Sequence, residues 1–212
     1  MINPVTLPIY THLIPALILL VTPIPITPLP NLLLLPPTSQ TLTLLLSTLY
    51  HVHEYKSPQT SSTLYLRLDQ LGIILLIVVN SITGIYFGFY EDTSIRDGYM
   101  VLIFSLSIFP ITTHLLLPSR YTSSPEYNTL RIISLTVPAL SAVIPIFHGY
   151  LLHGGEYLLS VGVGWYISEG VVVLLGVFVF TSHVSPSGGI LHSSGRSFHF
   201  MGVMQAVRFW FE

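Results

Sequence analysis

The chain has 212 residues, 51% hydrophobic and only 8% charged, with a mean hydropathy of +0.73 and a formal net charge of −2. Soluble domains carry about 25% charged residues, so most of this surface is built to face lipid, and the acidic balance excludes a broad basic face for nucleic acid. There is no cysteine, which excludes disulfides, thiolate metal sites and a cysteine nucleophile and leaves His, Asp and Glu to build any metal site.

The N-terminus, Met1 to Pro4, has no basic residue before its first apolar run and does not read as a signal peptide. That run, 9–30, is broken by Pro23, Pro25, Pro28 and Pro30, a density that predicts a short helix followed by a non-helical crossing loop. A second span is expected over 38–55, after Pro36 and Pro37, and the polar stretch from Lys56 to Ser62 is a loop. A third span, 68–90, ends at the charged group Glu91, Asp92, Arg96 and Asp97. The fourth, 99–117, is closed by Pro118, and the fifth, 130–152, is interrupted by Pro138 and Pro145. After the turn from His153 to Glu156 the sixth covers 158–180, and after Gly188 and Gly189 the seventh covers 192–211. A spanning helix needs about 20 apolar residues, so seven spans consume about 140. Residues 1–212 thus read as one all-α domain, a seven-transmembrane-helix bundle with short loops.

Basic residues set the expected orientation. Alternate loops hold Lys56 and Arg67, then Arg120 and Arg131, then Arg196, while the opposite loops hold only Arg96 among acids. The positive-inside rule places the N-terminus in the cytoplasm and, with seven spans, the C-terminus outside. His51 then ends the second span, Asp69 opens the third, and His192 and His199 open the seventh, all near the cytoplasmic leaflet. Ionisable groups at membrane helix ends need partners or water and suggest a site. Histidines at helix ends also sit simply at the headgroup interface, which is how His148 and His153 read at the outer end. Glu169, inside the sixth span, reads as a protonated carboxyl or as a pairing partner in the bundle.

The chain resembles the progestin and adipoQ receptor family, the haemolysin-III-related membrane proteins, closest to the adiponectin-receptor-like branch. The resemblance rests on Ile9-Tyr-Thr-His-Leu13, Ser47-Thr-Leu-Tyr-His51 and Arg67-Leu-Asp-Gln-Leu-Gly-Ile73. It extends through Ile85 to Tyr90, Glu126 to Arg131, Ser141 to His148, Gly164-Trp165 and Gly176. It implies a seven-helix bundle with an inner N-terminus and a zinc ion held near the inner leaflet by three histidines. His51 matches the first of these, and Ser194-Gly-Arg-Ser-Phe-His199 matches the helix-seven pattern with His199 as its terminal ligand. The first histidine of that helix-seven pair is Gly195 here, and glycine has no side chain to coordinate with. His192 is seven residues before His199, about 10 Å along a continuous helix. Zinc–nitrogen bonds are about 2.0–2.1 Å, so both bind one ion only if the chain bends between them.

The family is associated with slow hydrolysis of a ceramide amide by zinc-activated water. In that reading Asp69 orients the water or takes its proton, and Ser47 is a neighbouring hydrogen-bonding group. Asp69 also fits a carboxylate complementing the dipole at the start of helix three. The resemblance thus implies an integral, multi-pass, receptor-like membrane protein with Zn2+ as cofactor. Its partners are membrane lipids and a ceramide or sterol-like ligand, with no nucleic acid. The alternative is a non-catalytic membrane protein of zinc or lipid homeostasis with a degenerate metal site; a proton or ion transporter is suggested only by Asp69, Glu169 and the scattered histidines.

Overall fold

The computed structural model describes residues 6–22, 32, 34–57, 63–117 and 125–183. The seventh expected span, with His192, Gly195 and His199, lies outside these residues. Among the described residues the chain forms helices α1 (Leu7–Val21), α2 (Leu35–Lys56), α3 (Thr63–Gly88), α4 (Thr93–Leu116), α5 (Pro125–Ser141), α6 (Val143–Ser160) and α7 (Val163–His183). Helices α3 and α4 and the stretch Ile132–Ser160 are each long and apolar enough to cross a membrane. Large apolar side chains such as Val101, Ile108, Phe147 and Leu151 stand exposed on their outer faces. Such a surface is unfavourable in water and ordinary in lipid.

The helix ends follow local chemistry. Pro36 and Pro37 fall in the first turn of α2, where a missing N–H costs nothing. Helix α3 begins at Thr63, five residues earlier than expected, so Asp69 lies in its second turn and no acid occupies the first. That removes the reading of Asp69 as a carboxylate at the start of the helix. The expected fifth span is in fact two helices, α5 and α6, that meet at Ala142. Pro145 has no N–H for the Ser141 carbonyl and crowds it, so the helical ladder breaks there. Ser141 turns its hydroxyl back to the Pro138 carbonyl, 2.6 Å away. Helix α6 continues past the expected stop through a kink at Gly154, whose φ of 80° suits glycine, and ends at a turn closed by Gly162 at φ 82°.

Consecutive helices pack side by side, and α3 stands at the centre, touching α2, α4, α5, α6 and α7. Its closest neighbour is α2. A β-carbon on Gly72 would lie 3.2 Å from the Thr43 α-carbon, and the Thr43 hydroxyl donates to the Gly72 carbonyl at 2.8 Å. Small residues let membrane helices approach this closely and bond across the gap. At one end of the bundle, called here the near end, Arg67 of α3 donates to the carbonyls of Leu115 and Leu117 where α4 finishes. Those carbonyls have no partner within their own helix, and a cation also suits the negative end of its dipole. Beside it Tyr127 of α5 donates to Gln70 of α3 at 2.9 Å and meets His114 of α4 at 3.4 Å. His114 in turn meets Ser134 of α5 at 3.2 Å, and all four side chains are buried.

Replacing Gly72 by Val forces a branched side chain into the Thr43 backbone. Overpacking of this kind costs about 1–3 kcal/mol, so Gly72→Val is expected to lower the melting temperature of detergent-purified protein by several degrees. An unchanged melting temperature in a fluorescence-detected thermal scan would rule out the α2–α3 contact as the tightest seam of the bundle.

Candidate functional site

The near end collects the polar side chains that sequence reasoning singled out. On α1 the buried positions His12, Pro15, Ala16 and Leu19 follow helical spacing and form one face. Ala16 and Leu19 pack with Leu44 of α2. Seven residues on from Leu44, on the same face of α2, stands His51. The apolar seam between the two helices therefore ends in two imidazoles, His12 and His51, whose ring centres are 5.4 Å apart at an interplanar angle of 38°.

Each imidazole is anchored through Nδ1. His12 Nδ1 donates to the Pro8 carbonyl at 2.7 Å, and His51 Nδ1 faces the Glu54 carboxylate at 3.4 Å. A carbonyl and a carboxylate accept, so both contacts call for a proton on Nδ1. Tyr50 donates to the other Glu54 oxygen at 3.3 Å and lies against the His51 ring, 5.0 Å between centres. His53, two residues on, is turned to α3, where its ring lies 4.7 Å from that of Tyr65.

Ser47 is buried one turn before His51. With Thr43 opposite Gly72 in an antiparallel pair, Asp69 stands level with Leu46 and Ser47, and His51 stands level with Leu64. The partly buried Asp69 is thus about 7 Å further from the near end than His51 along the axis. Ser47, His51 and Asp69 lie towards one end of adjacent helices, and the carboxylate stands deeper than His51 rather than level with it as the sequence suggested.

Imidazole is a ligand type that zinc takes. Among the described residues no three His, Asp or Glu side chains stand close enough together to hold a metal. The remaining expected ligands, His192 and His199, lie outside those residues. His12 and Glu54 were not anticipated as neighbours of His51. His12 was legible in principle, since it shares the spacing of Ala16 and Leu19, and Glu54 follows His51 by three residues, within reach on a helix. His114 carried no signal, standing alone in an apolar run.

Elsewhere the ionisable groups found structural partners. Glu169 of α7 accepts from the Asn80 amide of α3 at 3.2 Å, a partner in the bundle that suits a protonated carboxyl as well as a carboxylate. At the far end His148 meets the Tyr99 hydroxyl at 2.9 Å, and His153 meets Asp92 at 2.7 Å. The Asn80–Glu169 pair is expected to show a coupling of about 0.6–1.7 kcal/mol, the range of polar pairs between membrane helices. A double-mutant cycle of Asn80→Ala and Glu169→Leu on thermal stability reads this directly, and strict additivity would contradict the pairing.

Residues 2–210 match the family described as Haemolysin-III related. The chain is 28% identical over 170 residues to the ADIPOR-like receptor IZH2 of Saccharomyces cerevisiae, covering 77% of this chain and 52% of that protein. It is 30% identical over 122 residues to the adiponectin receptor protein of Drosophila melanogaster, covering 57% of this chain and 27% of that one. It is also 30% identical over 146 residues to heptahelical transmembrane protein 3 of Arabidopsis thaliana, covering 66% and 42%. The chain spans about half the length of the yeast relative and less of the other two. With a match along nearly its whole length and a helical, lipid-facing architecture, the chain belongs to the Haemolysin-III related, adiponectin-receptor-like family of membrane proteins.

Proposed function

We propose that this protein is a receptor-like integral membrane protein of the adiponectin-receptor type whose near end faces the cytoplasm and holds zinc for hydrolysis of a lipid amide of the ceramide class. The observation that carries this reading is the pair of Nδ1-anchored imidazoles at the end of α1 and α2, with Ser47 and Asp69 one turn deeper. Zinc bound by three nitrogens with an open position brings the pKa of a coordinated water to about 7.

The chain's own residues do the rest. Glu54, 3.4 Å from Nδ1, would hold the His51 ring in a fixed orientation for such a site. Asp69, deeper than His51, would act as the proton acceptor for a water activated at such a site. The Ser47 hydroxyl, at the same level, hydrogen-bonds the amide of the lipid. The second reading, a non-catalytic protein of zinc or lipid homeostasis, is favoured by one observation: Gly195 stands where the family pattern has a ligand.

Detergent-purified protein assayed for zinc content and for fatty acid released from long-chain ceramide separates the two. Asp69→Asn is expected to lower turnover by about 10²–10⁴-fold, the usual contribution of a general base, with zinc content unchanged. Zinc held weakly or not at all, without turnover, in the wild type decides for the second reading.

Orientation has its own test. A cysteine introduced at Ser61, the chain having none, is expected to resist an impermeant thiol reagent in intact cells and to react after permeabilisation. Labelling from outside places the near end on the other side of the membrane.

A further inference from the structure

We propose that the near end binds a chloride ion between Arg67 and Gln70 of α3, where α3 meets the end of α4 and the start of α5. The site is separate from the one read as a zinc site and does not rest on it.

The two side chains are three residues apart and so share a face of α3, with β-carbons about 5–6 Å from each other. Their partners fix that face. Arg67 donates through both terminal nitrogens to the Leu115 and Leu117 carbonyls at the end of α4, and Gln70 accepts through Oε1 from Tyr127 of α5 at 2.9 Å. The rest of each group is unused: the Arg67 Nε–H and the Gln70 Nε2 amide are buried and have no hydrogen-bond partner among the described residues. Buried N–H groups are nearly always paired, because one without an acceptor forfeits its whole hydration. Gln70 is only 2% exposed, so bulk water does not serve it.

Charge argues the same way. The ion pairs among the described residues join His51 to Glu54, Arg96 to Asp97 and His153 to Asp92, and Arg67 takes part in none of them. Arg96, at the far end, has a carboxylate at 3.3 Å and a tyrosine ring beneath it. Arg67 has carbonyls alone. The end of a helix supplies about half an elementary charge, so the guanidinium stays a net cation.

The unused atoms select the ligand. All of them are donors, since Gln70 Oε1 is taken by Tyr127. A water molecule would accept from Arg67 and Gln70, but its own two hydrogens would compete for carbonyls that Arg67 already holds. An anion accepts from every donor and brings no hydrogen of its own, and hydrogen bonds to an ion are the strong ones. Both donors are covered by protein, so the ion is small enough to be enclosed. That suits a halide rather than the phosphate of a lipid headgroup.

The full chain, purified in detergent, is scanned for thermal stability as sodium chloride replaces sodium gluconate at constant ionic strength. The wild type is expected to gain several degrees in melting temperature with a saturable dependence, bromide substituting for chloride, and to broaden the chloride magnetic-resonance line. Gln70→Leu removes the amide donors and should raise the chloride midpoint roughly 10-fold or more, the worth of a hydrogen bond to an ion. Gln70→Glu keeps the acceptor for Tyr127 and sets a carboxylate beside Arg67 in the place of the anion. It should lose the chloride response and be no less stable than the wild type in gluconate. Arg96→Gln, at the far end, should keep the response in full.

A wild type with no chloride response and no line broadening overturns the proposal, and so does a response that survives in Gln70→Glu. Stabilisation by short-chain phosphatidic acid in gluconate, with none by chloride, overturns the halide in favour of a lipid phosphate. If Gln70→Leu elutes as aggregate, Gln70→Glu decides alone: loss of the response in folded protein supports the site, and its retention overturns it.

Discussion

A polar side chain within a bilayer must find its partner inside the protein, because lipid offers none. Helix α3 is where this constraint concentrates. Its polar groups point in several directions, and each ends on a different helix: Tyr65 on His53 of α2, Arg67 on the last carbonyls of α4, Gln70 on Tyr127 of α5 and Asn80 on Glu169 of α7. Even its backbone is used, the Gly72 carbonyl by Thr43 of α2 and the Phe87 carbonyl by Tyr157 of α6 at 3.4 Å. Any rotation of α3 about its axis would orphan several of these at once. The arrangement of the bundle follows from satisfying one helix.

The near-end site depends on that arrangement without belonging to α3 alone. The Thr43–Gly72 contact fixes how α2 slides along α3, and thereby the level of Asp69 relative to Ser47 and His51. A slip of one turn would move the carboxylate by about 5.4 Å relative to Ser47 and His51. The seam of Ala16, Leu19 and Leu44 does the same for α1, setting His12 at the depth of His51. Apolar packing determines the levels, and the polar atoms then find one another.

The far end is organised differently. Its aromatic and charged groups close on each other: Tyr99 and Phe89 on His148, Asp92 on His153, and the Arg96 guanidinium over the Tyr86 ring at 5.2 Å. These contacts tie the α3–α4 connection to α6 near its kink at Gly154. At the near end, by contrast, two imidazoles, His12 and His51, stand side by side.

Composition alone determined that the chain is a membrane-embedded helical protein, because 8% charged residues cannot cover a water-facing surface. Spacing and resemblance identified the family and named His51, Ser47 and Asp69 as neighbours at one end, since helix ends carry readable punctuation in Pro36, Lys56 and Pro118. Internal breaks were less legible: Pro138 and Pro145 announced an interruption, but only the packed chain placed it at Ala142 and carried α6 on through Gly154 to Ser160. Pairings between helices were not legible at all. Nothing in the run around His114 joins it to Tyr127 and Ser134, and nothing in Glu169 selects Asn80. Periodicity says which face of a helix is buried but not which helix it meets or at what height. That choice, which put His12 beside His51, was made by close packing at Gly72 and Ala16 and exists only in the tertiary structure.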